Sequence, residues 1–364
     1  MKGDKKEMKK SLKIIMLAII SLGLLLGVSA CQNTLSEEKT ITVVDMDGVS
    51  IEVKKNPTKV ASISRTTYDL LVAYGLGDKI DGAYSGTLNN KWLSTIYPES
   101  KNHYVYGYQN SYELFIERGV DLVFAPERYI ADELNERGIP ALCVSLYGTP
   151  RFDEFVLFFS QLVTQIWDSA EVKRKAKVWE NRVTKAVNEI QTELNKHSFG
   201  DRTLFYIRGD KDRGVGYTDT AGSFTEYAYK VLGFKFAGST FNTNKPSTEE
   251  IMALNPDVFV AGGIYQNKNI DLLKTTEPYM NLDAVKNNRV YSIPIGVTAF
   301  EQLSAMTPIF LYDQANKIYP ELFSFDIPTM VKETILEYFG YQMTDTEVEY
   351  MLNGLAPDGT SLIS

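Results

Sequence analysis

The chain runs to 364 residues with 38 Lys and Arg against 46 Asp and Glu, and its formal net charge of −8 argues against nucleic acid or an anionic lipid surface as partner, since both attract cations. Only two histidines, His103 and His197, argue against the multi-histidine cages of a zinc or nickel receptor, whereas 22 tyrosines and 18 phenylalanines supply aromatic surface. The length exceeds what one hydrophobic core usually serves, so two lobes are expected.

Six lysines (Lys2, Lys5, Lys6, Lys9, Lys10 and Lys13) precede an apolar block from Ile14 to Val28 that closes on Val28-Ser29-Ala30-Cys31. This layout reads as an export signal over residues 1–30. An uncleaved membrane helix is the alternative, but the block falls short of the about 20 residues a span needs. Its end resembles the bacterial lipobox, which implies a diacylglyceryl group on Cys31 and a protein lipid-anchored at the outer face of the cell membrane. Losing the leader, with its six lysines and two acids (Asp4 and Glu7), takes the net charge to −12. Residues 31–40 read as a tether. With Cys31 acylated, Cys143 in the apolar run Ala141-Leu142-Cys143-Val144 has no disulfide partner in the chain and reads as a buried strand cysteine.

Residues 40–44 and 49–53 alternate apolar and polar around Asp47-Gly48 and predict a hairpin. Through residues 41–167, short apolar runs predict strands at 60–63, 80–84, 121–125 and 141–146. Helical patterns at 67–74, 112–118 and 131–137 lie between them, the first and last closed by Gly75 and Gly138. Such alternation indicates parallel βα units and an α/β lobe. Over 168–198, Val172, Ala176, Trp179, Val183, Val187, Ile190 and Leu194 fall in steps of three and four, one face of a long helix. About 25 residues at 1.5 Å each span close to 40 Å, enough to join two lobes. A dimeric coiled coil would need more heptads and regular e/g pairing. Over 199–323 the α/β rhythm resumes, with strands at 203–207, 257–261 and 290–293 and helices at 224–232 and 248–254. Helical patterns follow at 305–318 and 330–352, the second within an extension over 324–364.

One segment occurs twice. Ser111-Tyr112-Glu113 through Asp121-Leu122-Val123 aligns without gaps to Ser247-Thr248-Glu249 through Asp257-Val258-Phe259: a serine cap, a glutamate two residues on, and an aspartate eight beyond before a β run. One copy on each side of the long helix indicates duplicated lobes. Further stretches add to this: Asn56 to Ile63, Tyr74 to Gly82, Gly138-Ile139-Pro140, Ala221 to Phe224 and Asn288 to Tyr291. In order and spacing, from about Ile41 to Phe323, they resemble the class III substrate-binding proteins of ABC importers, which receive ferric siderophores, haem and cobalamin. The resemblance implies an α/β fold of two Rossmann-like lobes joined by one long rigid helix, with ligand in the cleft between them. It implies a monomeric receptor rather than an enzyme, without intrinsic cofactor, partnered by a permease with its ATPase. It also implies that Glu113 and Glu249 dock onto permease arginines; solvated glutamates in the first turn of helices are the plainer alternative.

Ligands of open α/β sheets lie beyond the C-terminal ends of the strands. Those positions carry Arg65, Tyr84, Arg128 and Tyr147 in the first half and Arg208, Tyr217, Tyr265 and Phe300 in the second, with Tyr106 and Tyr108 near the rim. Guanidinium groups pair with chelate oxygens and stack on rings, and tyrosine faces add apolar area, so the set suits an anionic metal chelate. A ferric siderophore leads, with haem or a corrinoid still open. His103 is either a haem-iron ligand or a loop histidine. Arg208-Gly209-Asp210 reads as a tight turn, and Asp210-Lys211-Asp212 is no calcium loop, because positions five and twelve are Gly214 and Ala221. An extracellular enzyme lacks support, with no Gly-x-Ser-x-Gly elbow, phosphate loop or zinc-binding His pair. A structural surface lipoprotein would not need duplicated lobes with a cleft.

Overall fold

The alternating runs become parallel sheets in the computed structural model, which describes residues 39–108, 112–145 and 152–363. The leader, the lipidation site Cys31 and Tyr147 lie outside the described residues. The hairpin pairs β1 (Thr40–Val44) with β2 (Ser50–Lys54), Thr40 opposite Lys54. Asp45 holds its turn, Oδ1 accepting the amides of Asp47 at 3.1 Å and Val49 at 3.0 Å.

The first half contributes β3 (Val60–Ser62), β4 (Ile80–Tyr84), β5 (Tyr104–Tyr106), β6 (Leu122–Ala125) and β7 (Ala141–Cys143), in spatial order β5-β4-β3-β6-β7. The second contributes β8 (Thr203–Arg208), β9 (Lys235–Phe236), β10 (Val258–Gly262) and β11 (Val290–Ser292), in order β11-β10-β8-β9. All neighbours in both sheets run parallel. Each sheet begins at an inner strand, winds to one edge and returns to the other side. The order therefore reverses between β3 and β6 and again between β8 and β10, where open sheets form their ligand crevice. The C-terminal ends there lead into Arg65 and Arg208.

The sheets are buried on both faces, and the period of two sorts their side chains. Val60, Leu122, Phe124 and Leu142 of the first sheet, and Leu204, Tyr206, Val258 and Val260 of the second, enter one continuous core. The alternate residues enter separate smaller cores, Ala61, Val123, Ala125 and Cys143 in one, Phe205, Ile207, Phe259 and Ala261 in the other. The long helix Ala170–Leu194, capped by the Ser169 side chain, lays Val172, Ala176, Trp179, Val183, Ala186, Ile190 and Leu194 into the shared core. Ala186 is buried where the spacing of three and four places Val187, which is only partly covered. Trp179 is fully buried, and its Nε1 donates to the Ser304 carbonyl at 3.0 Å. Because both halves draw on this core, the chain from Thr40 onward forms one compact unit by its contacts.

Four local readings need correction. Residues 104–106, given no element in the sequence reading, form the edge strand β5. The helices Phe152–Ile166 and Gln266–Thr275 have no counterpart in the sequence reading. In the first of these, apolar residues are so dense that no periodicity stands out. The run 330–352 is two helices, Ile327–Phe339 and Asp345–Leu352. Gly340, left-handed at φ 69°, ends one, and a Thr344–Glu347 capping box starts the other.

Candidate functional site

A cavity of about 280 Å³ lies where both sheets present their strand ends. The first half lines it with Arg65, which opens the helix Arg65–Ala73, and with Thr87, Asn89, Asn90 and Lys91 beyond β4. The second half lines it with Tyr206, Arg208, Asp210, Gly263 and the loop holding Thr298, Glu301 and Gln302. The rims touch directly: Asn90 Nδ2 donates to the carbonyls of Gly296 and Val297, both at 3.0 Å. The same residue caps the helix Lys91–Ile96 through Oδ1.

Two glycines allow the close approaches. A Cβ on Gly86 would meet Arg65 Nη2 at 2.7 Å and Tyr84 Cε1 at 2.6 Å, so only glycine lets those side chains lie over the backbone. A Cβ on Gly262 would stand 2.3 Å from Glu301 Oε1. Glu301 thus lies against the end of β10, where Tyr206 donates its hydroxyl to Oε1 at 3.2 Å and Oε2 has no partner. Burial pushes the Glu301 carboxyl up to about 7, against the opposing hydrogen bonds of a backbone amide and the Tyr206 hydroxyl.

The Arg65 side chain makes no hydrogen bond or ion pair among the described residues, and its guanidinium lines the cavity. Arg208 is partly neutralised: Nη1 donates to Asp219 Oδ1 at 3.0 Å, and Nε stands 3.6 Å from Asp210 Oδ1. Tyr84 stands beside Arg65 and meets Tyr108 edge-on at 5.9 Å, and the Tyr108 hydroxyl donates to Glu127 at 3.3 Å. Tyr217 packs under Arg213, with Arg208 at 5.8 Å from its ring. The Tyr265 amide donates to the Gly209 carbonyl at 2.9 Å in the loop after β8.

Three expected ligand contacts are committed to the scaffold. Tyr106 is fully buried, stacked on Phe115, and donates its hydroxyl to Asp81 at 2.7 Å. Arg128 pairs with the buried carboxylate of Asp45 and with Asp132 at 2.9 Å, tying the hairpin to the first sheet. Phe300 is fully buried in the shared core. His103 precedes β5, at the sheet end opposite the strand C-termini, and its Nδ1 lies 2.9 Å from the Tyr68 hydroxyl; it is a loop histidine. Glu113 and Glu249 are exposed in the first turns of the helices Tyr112–Arg118 and Thr248–Leu254. The sequence reading passed over Thr87, Asn89, Asn90, Lys91, Tyr206 and Asp210. Asn90 alone had a signal, as an N-cap before Lys91-Trp92-Leu93.

Two parallel α/β sheets thus share one core, with a polar, arginine-bearing crevice at their switch points. The sequence model of the family described as periplasmic binding protein matches residues 121–295. An uncharacterized ABC transporter substrate-binding lipoprotein of Bacillus subtilis, YvrC, is 24% identical over 290 residues, covering 78% of this chain and 87% of its own. The Fe(3+)-citrate-binding protein YfmC of the same organism is 27% identical over 141 residues, 38% of this chain and 42% of its own. A crystal structure of a periplasmic solute-binding protein from Veillonella parvula superposes with a TM-score of 0.67 at 20% identity, covering 88% of this chain and 99% of that one. Over residues 121–295 the chain matches the periplasmic binding protein family, and relatives it resembles include a protein named as an ABC transporter substrate-binding lipoprotein. Such proteins are extracytoplasmic receptors rather than enzymes, and they work with a permease and its ATPase. No helix among the described residues is long and apolar enough to cross a membrane.

Proposed function

We propose that this receptor binds an anionic ferric chelate, a siderophore or a carboxylate complex of iron, and delivers it to its permease. The observation that carries the reading is the pair Arg65 and Arg208, one from each half, lining a single cavity, with the Arg65 side chain unpaired among the described residues. A guanidinium offers planar, two-pronged hydrogen bonding to the carboxylate or hydroxamate oxygens that surround a chelated metal. Tyr84 and Tyr108 extend the first rim with aromatic faces, and Tyr217 and Tyr265 stand near the second. The similarity to a ferric-citrate-binding relative supports the same ligand class.

Docking is assigned to Glu113 and Glu249, exposed glutamates at matching places in the two halves, where charge steers and registers a large partner. Cys31 is the lipid anchor, so Cys31→Ala should release the protein from the membrane and abolish labelling by radioactive palmitate. Calorimetric titration with ferric citrate, a ferric hydroxamate, haemin and cobalamin tests the ligand. Saturable binding to a ferric chelate at micromolar concentration or below is expected. Saturation by cobalamin alone, or by nothing in the panel, would sink the reading.

A further inference from the structure

Residues 353–363, which follow the helix Asp345–Leu352, fold back on themselves as a short strap. The Ala356 amide donates to the Thr360 carbonyl at 2.8 Å, the Gly359 amide to the Ala356 carbonyl at 2.9 Å, and Leu355 bridges antiparallel to Ser361. This strap is tied to both halves. On the first, fully buried Trp92 donates Nε1 to the Leu355 carbonyl at 2.8 Å, and Lys91 Nζ reaches the Ser361 carbonyl at 3.2 Å. On the second, Asn267 Nδ2 donates to the Asn353 carbonyl at 3.3 Å, and the Ile295 amide to the Met351 carbonyl at 3.3 Å. From the strap, Leu362 lines the cavity.

The geometry points to this strap as a fixed end wall of the cleft, with Leu362 the residue that limits ligand size, so that the receptor takes a compact anionic chelate and turns away a broad one. The inference rests on the chelate-receptor reading above. A cavity of about 280 Å³ is at the lower edge of the roughly 300–1,000 Å³ usual for ligand pockets. Among the described lining residues, Leu362 alone comes from the C-terminal extension, the others lying in strands of the two sheets or in the segments that follow their strands. The four bonds anchoring its segment end on backbone carbonyls of the strap or of the turn before it, two from each half. A wall held on both sides does not swing away with one of them when a ligand enters; it subtracts volume. Lys91 is held by the same segment, which leaves the unpartnered Arg65 as the first half's dedicated cation.

The test is calorimetry on the full chain in detergent, with ferric citrate as the compact probe and haemin as the broad one. Leu362→Ala should shift the affinity ratio at least tenfold toward haemin, and a chain ending at Pro357 should shift it further. Leu362→Trp should weaken ferric citrate at least tenfold by filling the space. Both point variants change a partly buried side chain near the edge of the core and should keep the fold, checked by a single melting transition, so they decide the matter even where the shortened chain does not fold. A ratio within threefold of the parent in both, or a parent that takes haemin as tightly as ferric citrate, overturns the wall and leaves the receptor standing. A parent that binds nothing in the wider panel overturns the receptor reading and the wall with it.

Discussion

Asp121 in the first half and Asp257 in the second hold the same post. Asp121 Oδ2 accepts the amides of Thr58 at 2.9 Å and Lys59 at 3.1 Å, just before β3, while Asp257 Oδ2 accepts the Thr203 amide at 2.8 Å, at the start of β8. Their own amides return bonds to the carbonyls of Lys59 and Thr203. At the other end of the same strands the likeness stops. The first half ends in Arg65, unpartnered, and a rim of Thr87, Asn89 and Asn90. The second ends in Arg208, already shared with Asp219, and in Glu301, buried and short of one partner. Strand starts are clamped alike because they must pair to build each sheet. Strand ends open into loops, whose side chains change without disturbing the ladder, and there the two halves differ.

Reversing one glutamate in each half, Glu113→Lys with Glu249→Lys, should abolish chelate uptake by cells while leaving calorimetric binding intact; uptake at the parent rate would break the pairing of the halves at the permease. Trp179→Ala empties the core that both sheets share and should cost about 3–5 kcal/mol in urea denaturation. A single unfolding transition is expected, and two separated transitions would show that the halves do not depend on one another. The arginines sharpen the contrast at the rims. Losing a charge-assisted bond of about 1.5–3 kcal/mol, Arg65→Ala should bind ferric citrate roughly tenfold to a hundredfold more weakly with an unchanged melting temperature. Arg208→Ala should lose affinity and also about 1–3 kcal/mol of stability, since Asp219 loses its charged partner and keeps only the Thr225 hydroxyl.

The duplicated clamps make a narrower claim. Asp121→Ala and Asp257→Ala should each cost about 1–3 kcal/mol and agree with each other within about 1 kcal/mol. The smallest effect is the pH dependence of Glu301. Its carboxyl, normally near 4.5, is raised to about 7, so the native state prefers the protonated form. That contribution to stability is complete below about pH 4.5 and is lost as pH rises through about 7. Glu301→Gln should therefore melt with the parent at pH 4, melt higher at pH 8, and bind ferric citrate more tightly at pH 8 with one negative charge fewer in the cleft. A parent melting temperature that rises from pH 5 to 8 relative to the variant would contradict this assignment.

Much of the framework was legible residue by residue. Short apolar runs marked β3, β4, β6, β8 and β10, as strands covered on both faces require, and the spacing of Val172, Ala176, Trp179, Val183 and Ile190 marked the long helix, because a helix with one buried face must repeat at that period. The edge strand β5 escaped because a three-residue strand of alternating Tyr and Val resembles a loop. Among the candidate ligand contacts, Arg65, Arg208 and Tyr84 meet at or beside the cavity, whereas Tyr106 and Arg128 are held by Asp81 and Asp45.

From the sequence alone came the strand-and-helix rhythm, the repeated serine–glutamate–aspartate unit and the residue types able to hold an anion, since each is written in local spacing and chemistry. Only the tertiary structure decided which arginine is engaged by a carboxylate and which faces the cleft, and that Leu362 comes to line it. Arg128 and its partner Asp45 are 83 positions apart, and Lys91 and Ser361 are 270 apart. Pairings over such separations are chosen by packing of the whole chain, which no local pattern encodes.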